Sequence, residues 1–545
     1  MPRSFVIALC LVCAELTGMA QGAQPRNSRM AQAPHFNVVE ATIADVHRAL
    51  RKKTCTCELL VTEYLQRIAA YDQSTGTNSI ILTNPNALAT ARALDAEFAR
   101  THRLRPLHCV PVIVKDNYNT QGLQTTAGSL AMKGSIPATD ATMVRKLKAA
   151  GAIVLAKSNM AEWAFSAMVT ISSIAGETHN PYNFDHTTAG SSGGTAAAVA
   201  ASFGLVGLGT DTGNSIRGPS SHNALVGFRA TIGLISREGI VPLYLRNDMG
   251  GPMCRTVEDA TRMLEVLAGY DPADPITKYS EGRVPRNYTQ YLDPNGLTGA
   301  RIGILRTLSE RSPDPQVRAL FEQSIADLRA AGATVIDSVV IDNFDSVSAN
   351  QWCSVFRQDV DRYLASLGDA SPMKNLAEVV ASGKYAPYIN DDIHEELAKG
   401  VQTDTVGHGC DDAYSDPRRI AFRAAVVAAM DRYRIGAIIY PTWNNPPARI
   451  GDFAGYKGDN SQIIAPHTGM PAFTVPMGFT YDHLPAGLQF LGRSFDEPTL
   501  IRYVYGYEQA THHRRPPERF PELGTARRAV ARSAIIRSGD RVSGL

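Results

Sequence analysis

The 545-residue chain has almost no surplus of charge: 54 Lys and Arg stand against 52 Asp and Glu, a formal net charge of +2. A balance so near neutral supplies no basic surface for nucleic acid and no polybasic patch for an anionic membrane. Beyond residue 20 there is no stretch long and apolar enough to span a bilayer as a helix, which takes about 20 residues. The eight cysteines show no disulfide framework in their spacing, and Cys55 and Cys57 lack a zinc-type partner pair. Most of them are read as small buried apolar residues. The 13 histidines, His512-His513 among them, show no metal-ligand spacing, and no lysine follows the Gly-rich run as a phosphate loop requires. No metal and no organic cofactor is expected.

The chain opens on a three-part pattern. Arg3 gives a charged start, Phe5 to Ala14 is apolar, and Gly18-Met19-Ala20 places small residues at signal-peptidase spacing. The apolar run is too short to cross a membrane, and the pattern is that of a secretory signal peptide. Residues 1–20 are expected to be removed; cleavage after Ala23 is the weaker alternative, because Gln21 would take the outer small-residue position. Export, to a periplasm or out of the cell, would follow. Residues 21–35 are polar and read as a flexible lead-in. The tail, 524–545, carries five Arg against Asp540 and is expected to be mobile. Between them, 36–523 shows no repeat and no clean linker, which favours one large domain.

At 44% hydrophobic and 19% charged, the chain can bury a substantial core. Helical spacing begins at Ile43, Val46 and Leu50, returns after Thr56, and again over Pro85 to Arg100. Val110-Pro111-Val112-Ile113-Val114 is then a short β-branched run, the mark of a buried strand. Asp140 is read as the cap of a helix through Val144 and Leu147 that stops at Gly151, and Ile153 to Ala156 as a second buried strand. Residues 183–188 read as loop, Thr195 to Ala201 as a helix, and Gly204 to Gly209 as a small-residue strand. The alternation continues with strands at Ala300 to Leu305, Thr334 to Ile341 and Gly436 to Tyr440, and a helix from Val317 to Ala331. Alternating helix and buried strand means an α/β layered fold.

Three segments carry the chemistry. Lys115 closes a buried strand, where desolvation disfavours its charged form and turns the amine into a usable base. Gly190-Ser191-Ser192-Gly193-Gly194 is a turn before a helix. Gly209-Thr210-Asp211-Thr212-Gly213-Asn214-Ser215 ends another strand, and amides turned inward there would stabilise an oxyanion. Ser/Lys pairs are a known variant of serine hydrolase chemistry. The blander readings are a lysine paired with Asp116 and two ordinary Gly-rich turns. Gly190 to Gly194 also matches the G-x-S-x-G elbow, with Ser192 as nucleophile, but that motif needs a strand immediately before it.

Together these segments resemble the amidase signature family. The likeness rests on Val110 to Asn117, Ala189 to Gly194 and Gly207 to Arg217, and extends through Gly251-Pro252-Met253, Tyr440-Pro441-Thr442 and Gly469 to Gln489, covering roughly residues 40 to 516. It implies a single α/β/α domain around a large, mixed, twisted sheet. It implies a Ser-Ser-Lys triad, with Ser215 as nucleophile, Ser191 as relay in a cis peptide and Lys115 as base. The amides of Thr212, Gly213, Asn214 and Ser215 would form the oxyanion hole, with Ser192, Asp211 and Arg217 supporting. The implied substrate is a small-molecule amide, cleaved without a nucleic-acid or membrane partner by a monomer or homodimer. Three positions depart from the family: His108-Cys109 where glycine is common, Asn214 where Gly is frequent, and His467 where Asn is frequent. Lys384 to Asp416 reads as polar and irregular, a candidate for shaping the pocket. The alternatives are an ester or carbamate hydrolase on the same triad, a non-catalytic binding protein on the same scaffold, an α/β-hydrolase using Ser192, and the glutamine-dependent amidotransferase subunit of the same family.

Overall fold

The computed structural model describes residues 36–353, 355–399 and 411–524. The expected signal peptide, the lead-in, Cys410 and all but the first residue of the tail lie outside the described residues.

Eleven strands form one sheet: β1 (Ile80–Thr83), β2 (Pro111–Lys115), β3 (Ile153–Ser158), β4 (Val206–Thr210), β5 (Val226–Arg229), β6 (Gly250–Cys254), β7 (Arg301–Ile304), β8 (Thr334–Asp337), β9 (Ala437–Pro441), β10 (Ala472–Thr480) and β11 (Leu484–Leu491). Their order is β1-β3-β2-β4-β6-β5-β10-β11-β9-β7-β8. The β3-β2-β4 trio and the β9-β7-β8 trio are parallel, and the remaining pairs are antiparallel. This is the mixed sheet the resemblance implied. Every residue of β2 and β4 is buried, as expected for parallel strands covered on both faces.

The sequence of β4 is what lets a helix lie close against it. Helix α1 (Gly193–Ala200) packs on β4, and a Cβ on Gly207 would come within 2.6 Å of Thr195 Cγ2. A Cβ on Gly209 would strike Met253 Sδ and stand 3.1 Å from Ser192 Oγ. The two glycines therefore hold α1, and the Ser191-Ser192 turn before it, down onto the sheet.

Several expectations change. Asp140 does not cap its helix: Thr142–Ala149 starts without a side-chain cap, and Asp140 instead accepts from Gln121 N and Lys148 Nζ. The stretch read as loop before Thr188 is a strand, Asn183–Thr187, paired with His179–Asn180 in a two-stranded ribbon. The strand expected over Thr334 to Ile341 ends at Asp337. The described part of Lys384 to Asp416 is ordered, with a helix at Asn390–Ala398. Cys55 and Cys254 are buried free thiols, as read, but Cys57 and Cys109 are joined in a disulfide and Cys353 is disulfide-bonded as well. Cys109 also accounts for the family departure before Val110. Its φ is 62°, the left-handed region where glycine is the cheapest residue.

Candidate active site

The sheet delivers two chain ends to one point. β2 and β4 are parallel neighbours with Val114 opposite Leu208, so Lys115 and Thr210 emerge together at their C-terminal ends. Ligand sites of α/β sheets gather at such ends. The turn before α1 brings Ser191 to the same place, and the Gly190–Ser191 peptide is cis, as the resemblance implied.

Lys115 is fully buried and donates to Ser191 Oγ at 2.7 Å and to Thr210 Oγ1 at 2.7 Å. Thr210 Oγ1 also accepts from Asn117 Nδ2 at 3.0 Å. Among the described residues no carboxylate pairs with the amine; Asp116 pairs instead with Lys157, at 3.4 Å, which removes the reading of Lys115 as its partner. Burial drives the Lys115 amine down to about 7, against the opposing pull of the Asp211 and Asp248 carboxylates. Near neutral pH a large share of it is therefore free amine, able to take a proton.

Ser215 follows β4 and is 5% exposed, at the floor of a cavity of about 390 Å³. Its hydroxyl donates to Asn214 Oδ1 at 3.3 Å. The Ser191 hydroxyl is engaged by Lys115 and that of Ser215 by Asn214, and none of the described hydrogen bonds joins the two serines. None of the described backbone hydrogen bonds outside helices and strands engages the amides of Thr212, Gly213, Asn214 or Ser215. Four amides without a partner among the described hydrogen bonds, on a buried loop beside the Ser215 hydroxyl, have the character an oxyanion site requires.

A charge cluster braces that loop from behind. Asp211 is fully buried between Arg217 (3.0 Å) and Arg229 (2.9 Å). Burial alone would raise its pKa, but the two guanidiniums overcome it and hold the group at about 2. Arg217 Nη2 donates to Gly213 O at 2.7 Å, and Arg217 Nη1 to Ser461 O and Gln489 Oε1. Ser192 pins the other side: its Oγ donates to Thr210 O at 3.1 Å and accepts from Thr210 N at 3.3 Å. A strand does precede this turn, contrary to expectation, yet the elbow reading fails for a different reason. The Ser192 hydroxyl is committed to the β4 backbone, and Ser215 lines the cavity while Ser192 does not.

The cavity walls mix apolar and aromatic side chains, Phe165, Leu243, Tyr244 and Trp352, with the polar Thr212, Asn214, Ser215, Lys399 and Gln462. The indole tip of Trp352 stands over Gly213, 3.1 Å from where its Cβ would be, and the ring meets His467 edge-on at 4.7 Å. Asn214, the other family departure, anchors its amide on Ala167 O at 3.1 Å. Thr210 lay inside the quoted motif, and its hydroxyl could have been suspected from the two-residue alternation that puts it on one face of a strand. Trp352 and Asp248 carried no sequence signal, because only the fold brings them to the loop.

With this geometry in view, a family model described as Amidase matches residues 59–501. A probable amidase of Arabidopsis thaliana is 34% identical over 501 residues, 89% of this chain and 92% of the relative. A glutamyl-tRNA(Gln) amidotransferase subunit from Moorella thermoacetica is 34% identical over 500 residues, covering 89% of this chain and 99% of its own. Among solved structures, the native peptide amidase of Stenotrophomonas maltophilia superposes with a TM-score of 0.79 at 36% identity, covering 88% of this chain and 98% of that one.

Proposed function

The chain belongs to the amidase family, and from that premise we propose that it hydrolyses an uncharged carboxylic amide bearing an apolar or aromatic group, through an acyl-enzyme on Ser215. The observation that carries this reading is the fully buried Lys115 amine, 2.7 Å from Ser191 Oγ and brought down to about 7.

In this mechanism the free amine of Lys115 takes the Ser191 proton while Ser191 takes that of Ser215, which attacks the carbonyl carbon. The amides of Thr212 to Ser215 hold the oxyanion. The proton then returns through Ser191 to the leaving nitrogen, which must be protonated to depart, and the acyl group stays on Ser215. Water attacking by the same relay releases the acid. Esters and carbamates enter the same path with easier leaving groups.

The character of the cavity favours hydrolysis over amidotransfer. A glutamine-dependent amidotransferase must hold an amino acid's carboxylate and ammonium. Among the described residues lining this cavity the only charged side chain is Lys399, which Glu395 and Glu396 already engage, each at 2.9 Å. An unpaired substrate charge in such a pocket would carry a heavy desolvation cost. The complete Lys115, Ser191 and Ser215 set argues against a non-catalytic binding role.

Export remains part of the proposal, and the buried Cys57–Cys109 bridge supports it, since such bonds persist in oxidising compartments. The mass of the mature N-terminus recovered from expressing cells checks it: a chain starting at Gln21 is expected, and an intact Met1 chain overturns it.

For the activity, a panel of amides varied in acyl and amine parts is incubated with the protein and with Ser215→Ala. Turnover is expected with the first and none with the second, and a fluorophosphonate label should map to the Ser215 peptide. A label on Ser192, or an active Ser215→Ala, would overturn the assignment.

A further inference from the structure

Asp248 is 5% exposed and reaches two parts of the cleft with one carboxylate. Its Oδ1 accepts from Thr212 Oγ1 at 2.5 Å and from Tyr244 N at 3.2 Å, and its Oδ2 accepts from Leu243 N at 2.8 Å. Thr212 belongs to the loop with the four amides beside Ser215, whereas Leu243 and Tyr244 are cavity wall. The backbone ties the same two segments again, through Asp211 N to Met249 O at 2.8 Å and Met249 N to Asp211 O at 3.2 Å. If Asp248 only closed its own turn, the bonds to Leu243 and Tyr244 would suffice. The Thr212 bond, from a residue 36 positions away, has no part in that turn.

We propose that Asp248 is a positioning residue, fixing the oxyanion loop through Thr212 in register with the Leu243-Tyr244 wall that receives the substrate. The assignment rests on the amide-hydrolase reading above. A side chain with this placement matters because a shift of about 1 Å in an aligned donor costs on the order of a hundredfold in rate.

The carboxylate has a second, electrostatic effect. Among the described residues its charge acts on Lys115, Arg229, Arg237 and Asp359. Arg229 is paired with Asp211 and Arg237 with Asp274, while Asp359 is pushed up by burial to about 6, with Asp248 adding to the rise. Asp248 and Asp211 are the two carboxylates that favour the protonated form of Lys115. Removing the Asp248 charge therefore makes Lys115 easier to deprotonate.

Asp248→Asn and Thr212→Val separate the two effects. Each is assayed for kcat and KM across pH, on an amide that the wild-type protein hydrolyses, with melting temperature measured alongside. Asp248→Asn sets an amide N–H2 against donors that the carboxylate now serves on both sides, Thr212 Oγ1 and Tyr244 N on one oxygen and Leu243 N on the other. It is expected to lower kcat about 10- to 100-fold in the folded protein, and to move the acid limb of kcat to lower pH. Thr212→Val removes the donor of the Thr212–Asp248 bond but keeps the carboxylate, so kcat should fall with the acid limb in place. A wild-type kcat and pH profile in Asp248→Asn would overturn the proposal, and so would a kcat loss explained entirely by unfolded protein. A wild-type chain that hydrolyses no amide would instead defeat the functional reading. An active wild type matched by Asp248→Asn would defeat only the role of Asp248.

Discussion

The Lys115 amine and the Ser191 hydroxyl are 2.7 Å apart, and neither side chain has any exposure. A proton donor and acceptor so placed, away from water, form a pair able to relay a proton, with a pKa set by burial and the surrounding field.

That relay fixes the pH dependence. In the proposed mechanism Lys115 acts as a base only when neutral, and burial brings it down to about 7. The rate is therefore expected to be low at pH 5, to rise through about pH 7 and to level off above it, measured as kcat on a neutral amide. Lys115→Met should lose several orders of magnitude, because base and relay act as a unit. The same substitution tests the linkage. A lysine whose pKa is depressed by folding binds more protons unfolded than folded between about 7 and its ordinary value of about 10.4, so its penalty is largest at low pH and is relieved as pH rises. Relative to wild type, Lys115→Met should accordingly gain more in melting temperature at pH 6 than at pH 9.

The brace behind the oxyanion loop can be tested through Asp211. Replacement by Asn leaves the Arg217 and Arg229 guanidiniums buried without their counter-charge, which is expected to cost about 3–5 kcal/mol in denaturant unfolding. The sign in pH follows from the depressed value. The carboxylate stabilises the fold above its ordinary pKa of about 3.9, and the contribution fades as pH falls toward about 2. Wild-type stability should fall across that window, and Asp211→Asn should remove this part of the slope.

Trp352 is expected to select the substrate. Standing over Gly213 in a wall shared with Tyr244, it offers a flat apolar face at 46% exposure. Trp352→Ala should raise KM about 10-fold or more for amides with aromatic groups, an aromatic contact being worth about 0.5–1.5 kcal/mol beyond its burial. The KM of small aliphatic amides should change little. Equal losses on both substrates would place its effect on the loop and not on the substrate.

The Cys57–Cys109 bridge spans 52 residues. Closing a loop of that length removes unfolded-state freedom worth about 4 kcal/mol in the chain-entropy account. The Cys57→Ala/Cys109→Ala pair should lower the melting temperature while leaving kcat at wild-type level, since the bridge ties the helix Cys57–Arg67 to the entry of β2, away from the cavity.

Much of the fold was written locally. The β-branched run before Lys115, the helices that begin at Ile43 and after Thr56, and the small-residue strand Val206–Thr210 follow from propensity and pattern within a few residues. So did the three segments that bear Lys115, Ser191 and Ser215. Errors came where a neighbour distant in sequence set the outcome. Asp140 was claimed by Lys148 and Gln121 instead of its helix, 183–187 became a strand by pairing with His179–Asn180, and Cys109 met Cys57.

The sequence by itself determined which chemical groups exist and which local elements present them: a lysine at a strand end, a serine pair in a Gly-rich turn, a serine after a second strand. Only the tertiary structure decided that Lys115 is dry, that Asp116 turns away to Lys157, and that Asp248 and Trp352 reach the loop before Ser215. The reason is that burial and charge pairing are properties of a point in space. Chain segments tens to hundreds of residues apart contribute to each such point, and no short window of sequence contains them.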